Sequence, residues 1–198
     1  MKMTRLILAS GSPRRLELLS AFDFDIEVIK PQVDEIIDKN LEPGEIVKSL
    51  AMQKGEAVAK RLGSTDCPVL SADTIVVESG EILGKPADRA DAVRMISRLS
   101  GRTHEVFTGV AIFYKGQVKN FFVRSEVVFR DLTQDEIDSY CDLKEPYDKA
   151  GAYAIQGTAA FMIRSANGSY SNIIGLPVCE VAEALRDLKI QFGVNKNG

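Results

Sequence analysis

The residues that could do chemistry in this chain are charged side chains that interrupt apolar runs. Along residues 43–62 an apolar stripe runs through Ile46, Val47, Leu50, Ala51, Ala57, Val58 and Leu62, and the position that should continue it one turn after Leu50 is Lys54. In VLSADTIVV, residues 69–77, Asp73 stands among residues that otherwise read as buried, where an ionised carboxylate needs a cation, a metal or hydrogen bonds. Arg14 and Arg15 follow Ser10-Gly11-Ser12-Pro13 in the first turn of a helix. The helix dipole there repels cations at a cost of ~0.3–1 kcal/mol each, so something anionic should compensate. A Ser/Gly turn feeding a helix N-terminus, with forked guanidinium groups beside it, suits a phosphate. Each feature also has a plainer account. The Lys54 stem can pack while its ammonium reaches water, Asp73 can brace a neighbouring loop, and both arginines can be solvated.

Further polar residues fall near the ends of other elements. Lys85 precedes Pro86, which forces an extended segment, so Lys85 can project from a strand end. Asp34-Glu35 stands in an acidic loop, able to hold a divalent ion or to be solvated. Gln156 is the one amide in the apolar and small stretch AGAYAIQG, placed to bond a ligand edge or a neighbouring backbone. Two arginines, two lysines and two to three carboxylates gathered in this way favour a pocket for a triphosphate and its metal. Clustered cations neutralise phosphoryl oxygens there, and carboxylates position metal and water. The P-loop spacing G-x-x-x-x-G-K-[ST] is absent. Residue patterning reaches a phosphate-ester enzyme and does not reach the base.

Composition narrows the classes. In 198 residues, 25 Lys and Arg stand against 28 Asp and Glu, a net charge of −3. A chain so balanced lacks the broad positive field that gives non-specific nucleic-acid affinity or a membrane-surface role, and no basic stripe with interleaved aromatics is visible. One His and three scattered Cys without a C-x-x-C pair make a tetrahedral zinc site improbable, so a metal would sit on oxygens, as Mg²⁺ or Mn²⁺ does. His104 reads as a strand residue without a role. No run approaches the ~18 apolar residues of a membrane span and the N-terminus does not read as a signal peptide, so the expectation is a cytoplasmic protein with reduced thiols.

Strands and helices alternate around these residues. Strands are predicted at 5–9, 24–29 and 69–77, with EILG at 81–84 after a Ser79-Gly80 turn. Helices are predicted at 13–22 with Ser12 as cap, from Pro43 through Leu62, and at 87–99 with Asp88 as cap. Two β-rich runs, 103–114 and 117–130, flank Lys115-Gly116 as a hairpin. Thr133-Gln134-Asp135-Glu136 is a capping box opening a helix to about 143. The apolar stretch after KEPYDKAG through Ile163 reads mainly as strand, Asn167-Gly168 as a turn, Pro177–Leu188 as the closing helix, and 191–198 as a frayed tail. The expectation is one α/β domain over 1–190 with a mixed sheet flanked by helices, its β-rich middle able to form a lobe.

The blocks LILASGSPRRLELL, VDE, LAMQKGEAVA, LSADTIVV, ILGKP, DKAGAYAIQG and NGSYSNIIGLP resemble, in order and spacing, the Maf family of nucleotide pyrophosphatases, also called septum formation inhibitor proteins. The similarity spans residues 4–190. It implies an α/β fold like that of inosine triphosphate pyrophosphatases, with an elongated mixed sheet, a cleft and a homodimer. It also implies hydrolysis of a nucleoside triphosphate between the α and β phosphates with Mg²⁺ or Mn²⁺. On this resemblance Asp73 matches the family's proton acceptor, and Ser10, Arg14, Arg15, Glu35, Lys54 and Lys85 match residues lining its pocket. Glu35, Lys54 and Lys85 join Asp73 in the catalytic set, with Asp73 and Glu35 as metal ligands. The branch acting on 7-methyl-GTP resembles S-x-S-P-W-R-R, S-D-Q and a late Glu. Arg14, Thr74 and Gln156 here resemble instead the dTTP and UTP branch, with modified pyrimidine triphosphates as further substrates to be cleaned from the pool. The rival expectation is a nucleotide-sensing module that regulates cell division without turnover.

Overall fold

A computed structural model describes residues 4–38, 40–63 and 66–195. In chain order the elements are β1 (Arg5–Ala9), α1 (Pro13–Leu19), β2 (Asp25–Val28), α2 (Pro43–Leu62), β3 (Val69–Glu78), β4 (Glu81–Leu83), α3 (Arg89–Leu99), β5 (Thr103–Tyr114), β6 (Gln117–Phe129), α4 (Gln134–Cys141), β7 (Ile163–Asn167), α5 (Tyr170–Ile174) and α6 (Val178–Asp187). The sheet is mixed and runs β2-β1-β3-β5-β6-β7, with β4 paired to β3. β1 is parallel to β2 and β3, whereas β4 is antiparallel to β3 and β7 to β6.

The described residues form two compact units. One holds the chain up to Asp73, Thr108–Val123 and the segment from Gly175 on; the other holds Thr74–Phe107 and Arg124–Ile174. In the first, β1 is buried on both faces, which is why LILA is a continuous apolar run rather than an alternating one. Leu6 and Leu8 cluster with Leu70, Val110, Ile112 and the α6 residues Val181, Ala184 and Leu185, while Ile7 and Ala9 join Val58 of α2 and Val69. In the second unit the core is built by Ala92, Met95, Ile96 and Leu99 of α3 and by Ile137, Tyr140 and Cys141 of α4. These pack with Val106, Val127, Phe129 and Tyr153.

Three expectations need correction. Ser12 makes no side-chain cap bond; the Ser10 hydroxyl accepts from Ser12 N at 3.1 Å and serves the turn from two residues further back. The stretch 152–163 is not mainly strand: Ala152 ends the 3-10 turn Ala150–Ala152, Thr158–Met162 is another, and only Ile163 opens β7. Gly151 and Ala152 take φ of 68° and 62°, which ends any extended run, and apolar composition alone cannot signal that. The tail described to residue 195 is not frayed: Gly193 N donates to Asp23, Asn195 N donates to Ala21 O at 3.0 Å, and Phe192 packs on Phe22 at 5.0 Å. Residues 196–198 lie outside the described residues.

Candidate active site

The site starts where α2 lies on β3. On the helix, Ala51, Lys54 and Gly55 share a face, and on the strand Ser71 and Asp73 share one because side chains alternate. The buried Ser71 hydroxyl donates to Ala51 O at 2.7 Å. Gly55 carries no side chain to hold the two apart; a Cβ there would collide with the Phe113 ring and the Ser71 hydroxyl. This close approach delivers Lys54 to Asp73. Lys54 Nζ donates to Asp73 Oδ1 and lies 3.1 Å from Glu35 Oε1. The Lys54 and Asp73 side chains are only 13% and 14% exposed, so the ammonium does not reach out to water, and the carboxylate is paired rather than stranded. β3 is buried at every position except Asp73 and Thr74.

Glu35 comes from the irregular segment before α2, and a residue unmarked by the sequence pattern holds that segment. Gln53 Oε1 accepts from Ile36 N at 2.9 Å, and its Nε2 donates to Ile36 O at 2.8 Å. Gln53 precedes Lys54, and a polar side chain beside the apolar stripe reads in the sequence like any solvated residue, although the structure half-buries it.

Arg15 joins the same unit. Its Nε donates to Gly175 O at 2.9 Å and its Nη1 to Ser10 Oγ at 3.2 Å, so the residues of the Ser-Gly turn orient the guanidinium. Burial pushes the Arg15 guanidinium below its ordinary value; the Asp73 charge opposes this, Arg14 adds to it, and Glu35 opposes it. Arg14 is half-buried beside it in the first turn of α1. Ser10, Arg14, Arg15, Glu35, Lys54 and Asp73 are thus brought together. Thr74, Lys85 and Gln156 belong to the second unit. Thr74 is half-buried, Lys85 is exposed two residues past β4, and Gln156 is exposed in the turn before Thr158–Met162.

A family model described as Maf-like protein matches residues 5–188. The chain belongs to the Maf family. Over 188 residues this Maf chain is 47% identical to a dTTP/UTP pyrophosphatase of Bacillus cereus (strain Q1), covering 95% of the chain and 97% of that relative. It is 46% identical, with the same coverage, to one of Bacillus anthracis (strain CDC 684 / NRRL 3495). Among solved structures it is similar to the Ham1 protein of Staphylococcus aureus at 14% identity and TM-score 0.48, over 94% of this chain and 100% of that one.

Among the described residues of the Maf chain no group of three His, Cys, Asp or Glu could cage a metal. Asp73 and Glu35 nevertheless converge on one cation, the Lys54 ammonium. Two hard carboxylates fit Mg²⁺ or Mn²⁺, which keeps one or two protein oxygens and takes the rest of its shell from water and substrate phosphates. His104 stands apart from this chemistry. It is buried, its Nε2 bonds the Tyr153 hydroxyl at 2.7 Å, its ring meets Phe129 edge-on, and burial pushes it down to about 4.

Proposed function

We propose that this Maf protein is a nucleoside triphosphate pyrophosphatase that hydrolyses dTTP and UTP, and modified pyrimidine triphosphates of the same shape, to the monophosphate and pyrophosphate. Relatives 46–47% identical over 95% of the chain carry the dTTP/UTP pyrophosphatase name. The observation that carries the reading is the Lys54 ammonium held between Asp73 and Glu35 in the unit that also orients Arg15. A nucleotide sensor needs the cations and has no use for paired carboxylates, so this arrangement favours turnover.

Lys54 fixes the Asp73 carboxylate through Oδ1 and leaves Oδ2 the task of taking a proton from water. The water oxygen bonds the α phosphorus as the bond from that phosphorus to the oxygen bridging toward the β phosphate breaks. The electron pair leaves with pyrophosphate, and the water proton stays on Asp73. Arg15, oriented by Ser10, holds the phosphate tail with Lys54. The family resemblance further assigns Lys85 to the phosphates, and Arg14, Thr74 and Gln156 to the pyrimidine. A divalent ion on Asp73, Glu35 and the phosphates would neutralise the triphosphate charge.

The protein acts in the cytoplasm as a homodimer, as the resemblance implies. Its three cysteines are free, which suits a reducing compartment. No helix among the described residues is long and apolar enough to cross a membrane. The test incubates purified protein with a panel of triphosphates and Mn²⁺ and scores monophosphate and pyrophosphate. Turnover of dTTP and UTP ahead of purine triphosphates is expected; tight binding without turnover of any triphosphate would overturn the reading in favour of a sensor.

A further inference from the structure

Glu145 lies outside every role assigned above, yet its carboxylate collects three donors. Oε2 accepts from Thr158 N at 2.9 Å, and Oε1 accepts from Ala159 N at 3.2 Å and from the Tyr140 hydroxyl at 3.1 Å. Thr158 and Ala159 open a 3-10 turn, so these N–H groups have no partner within it, and Glu145 caps it from a distant point in the chain. Tyr140 is buried in the core of α4, which ties the carboxylate to a rigid element. Lys149 Nζ adds a bond to Glu145 O at 2.7 Å.

One residue, Gly157, separates this anchor from Gln156. A Cβ on Gly157 would collide with both oxygens of the Glu145 carboxylate, so the turn is pressed directly against the carboxylate. Gly157 N also closes the turn on Ala154 O at 3.2 Å. Burial works against the charge on Glu145, but the Thr158, Ala159 and Tyr140 donors outweigh it and hold the carboxyl below its ordinary value. An exposed amide can select an edge of a base only if the backbone beneath it is fixed.

We propose that Glu145 is a positioning residue for base selection: its carboxylate fixes the 154–158 turn so that Gln156 is presented in one orientation. The inference rests on the reading of Gln156 as a base-contacting residue, and the test separates the two. Rates with dTTP and dGTP are measured for Glu145→Gln, Glu145→Ala, Gln156→Ala and the double substitution Glu145→Ala/Gln156→Ala, with thermal melts alongside. Glu145→Ala should raise KM for dTTP about tenfold, with kcat changing by less than about threefold, and should narrow the preference for dTTP over dGTP. Glu145→Gln, which retains one acceptor oxygen, should shift the preference the same way by a smaller factor. In the Gln156→Ala background Glu145→Ala should change the preference no further. If Gln156→Ala shifts the preference while folded Glu145→Gln and Glu145→Ala do not, or if they slow both triphosphates equally with KM unchanged, the positioning role is overturned and the reading of Gln156 stands. If Gln156→Ala itself leaves the preference intact, both fall.

Discussion

Gln53 grips Ile36 by both ends of its side-chain amide, accepting from the Ile36 N–H and donating to the Ile36 carbonyl. This pair of bonds sets the residue after Glu35 against the helix that carries Lys54, so a side chain with no chemistry of its own helps to place the Glu35 carboxylate, proposed above as part of the catalytic set. At ~0.5–1.5 kcal/mol for each bond, Gln53→Ala should lower kcat/KM about tenfold. The melting temperature should change little, because the segment is exposed. Gln53→Glu, which retains the acceptor but cannot donate to Ile36 O, should fall between. Unchanged kinetics in both would show that Glu35 needs no such support.

Asp73→Asn removes the proposed proton acceptor while keeping its size. Pyrophosphate release should fall by roughly 10²–10⁴, the range for losing a general base. Lys54 keeps Glu35 as a partner, so the protein should still fold, as a circular-dichroism melt would report. A folded Asp73→Asn protein with full pyrophosphate release would sink the assignment.

Gln156→Glu tests base reading directly. Replacing the amide by a carboxylate exchanges a donor for an acceptor at one edge of the base, so the ranking of triphosphates by kcat/KM should change. Whatever activity remains should still require Asp73. A ranking identical to that of the parent protein would remove Gln156 from the base contact.

His104 gives the protein a defined acid limit. Its folded value of about 4 lies below the ordinary 6.5, chiefly through burial, with the Glu78 charge opposing. The unfolded chain therefore binds the proton first as pH falls. The stability this group contributes is complete above 6.5 and is lost progressively down to about 4. Between pH 7 and pH 5 the loss should approach ~2 kcal/mol by linkage, visible as a falling denaturant midpoint. His104→Gln should flatten that slope, and an unaltered slope would assign the acid sensitivity elsewhere.

How far the sequence reveals this site depends on what each residue answers to. The helix 43–62 is legible at both ends because Pro43 stands in its first turn and Gly63 takes φ 68° at its C-cap. Lys54 and Asp73 are each legible as a breach of an apolar pattern. Their pairing is not, since it depends on how closely Gly55 lets the helix approach Ser71 across distant sequence. Gln53 and Glu145 break no pattern, because most of their partners are backbone groups, which leave no mark on side-chain periodicity. The 152–163 stretch misleads for a related reason: small apolar residues fit buried turns as well as buried strands.

The last described residues have a practical consequence for anyone shortening the chain. The family match ends at 188, whereas Phe192, Gly193 and Asn195 are fastened to Ala21, Phe22 and Asp23, directly behind the helix that bears Arg14 and Arg15. A protein trimmed to the matched segment would keep every residue assigned to hydrolysis. It would lose the clasp next to the helix that bears Arg14 and Arg15 and leave the rings of Phe22 and Phe24 without Phe192 as a neighbour.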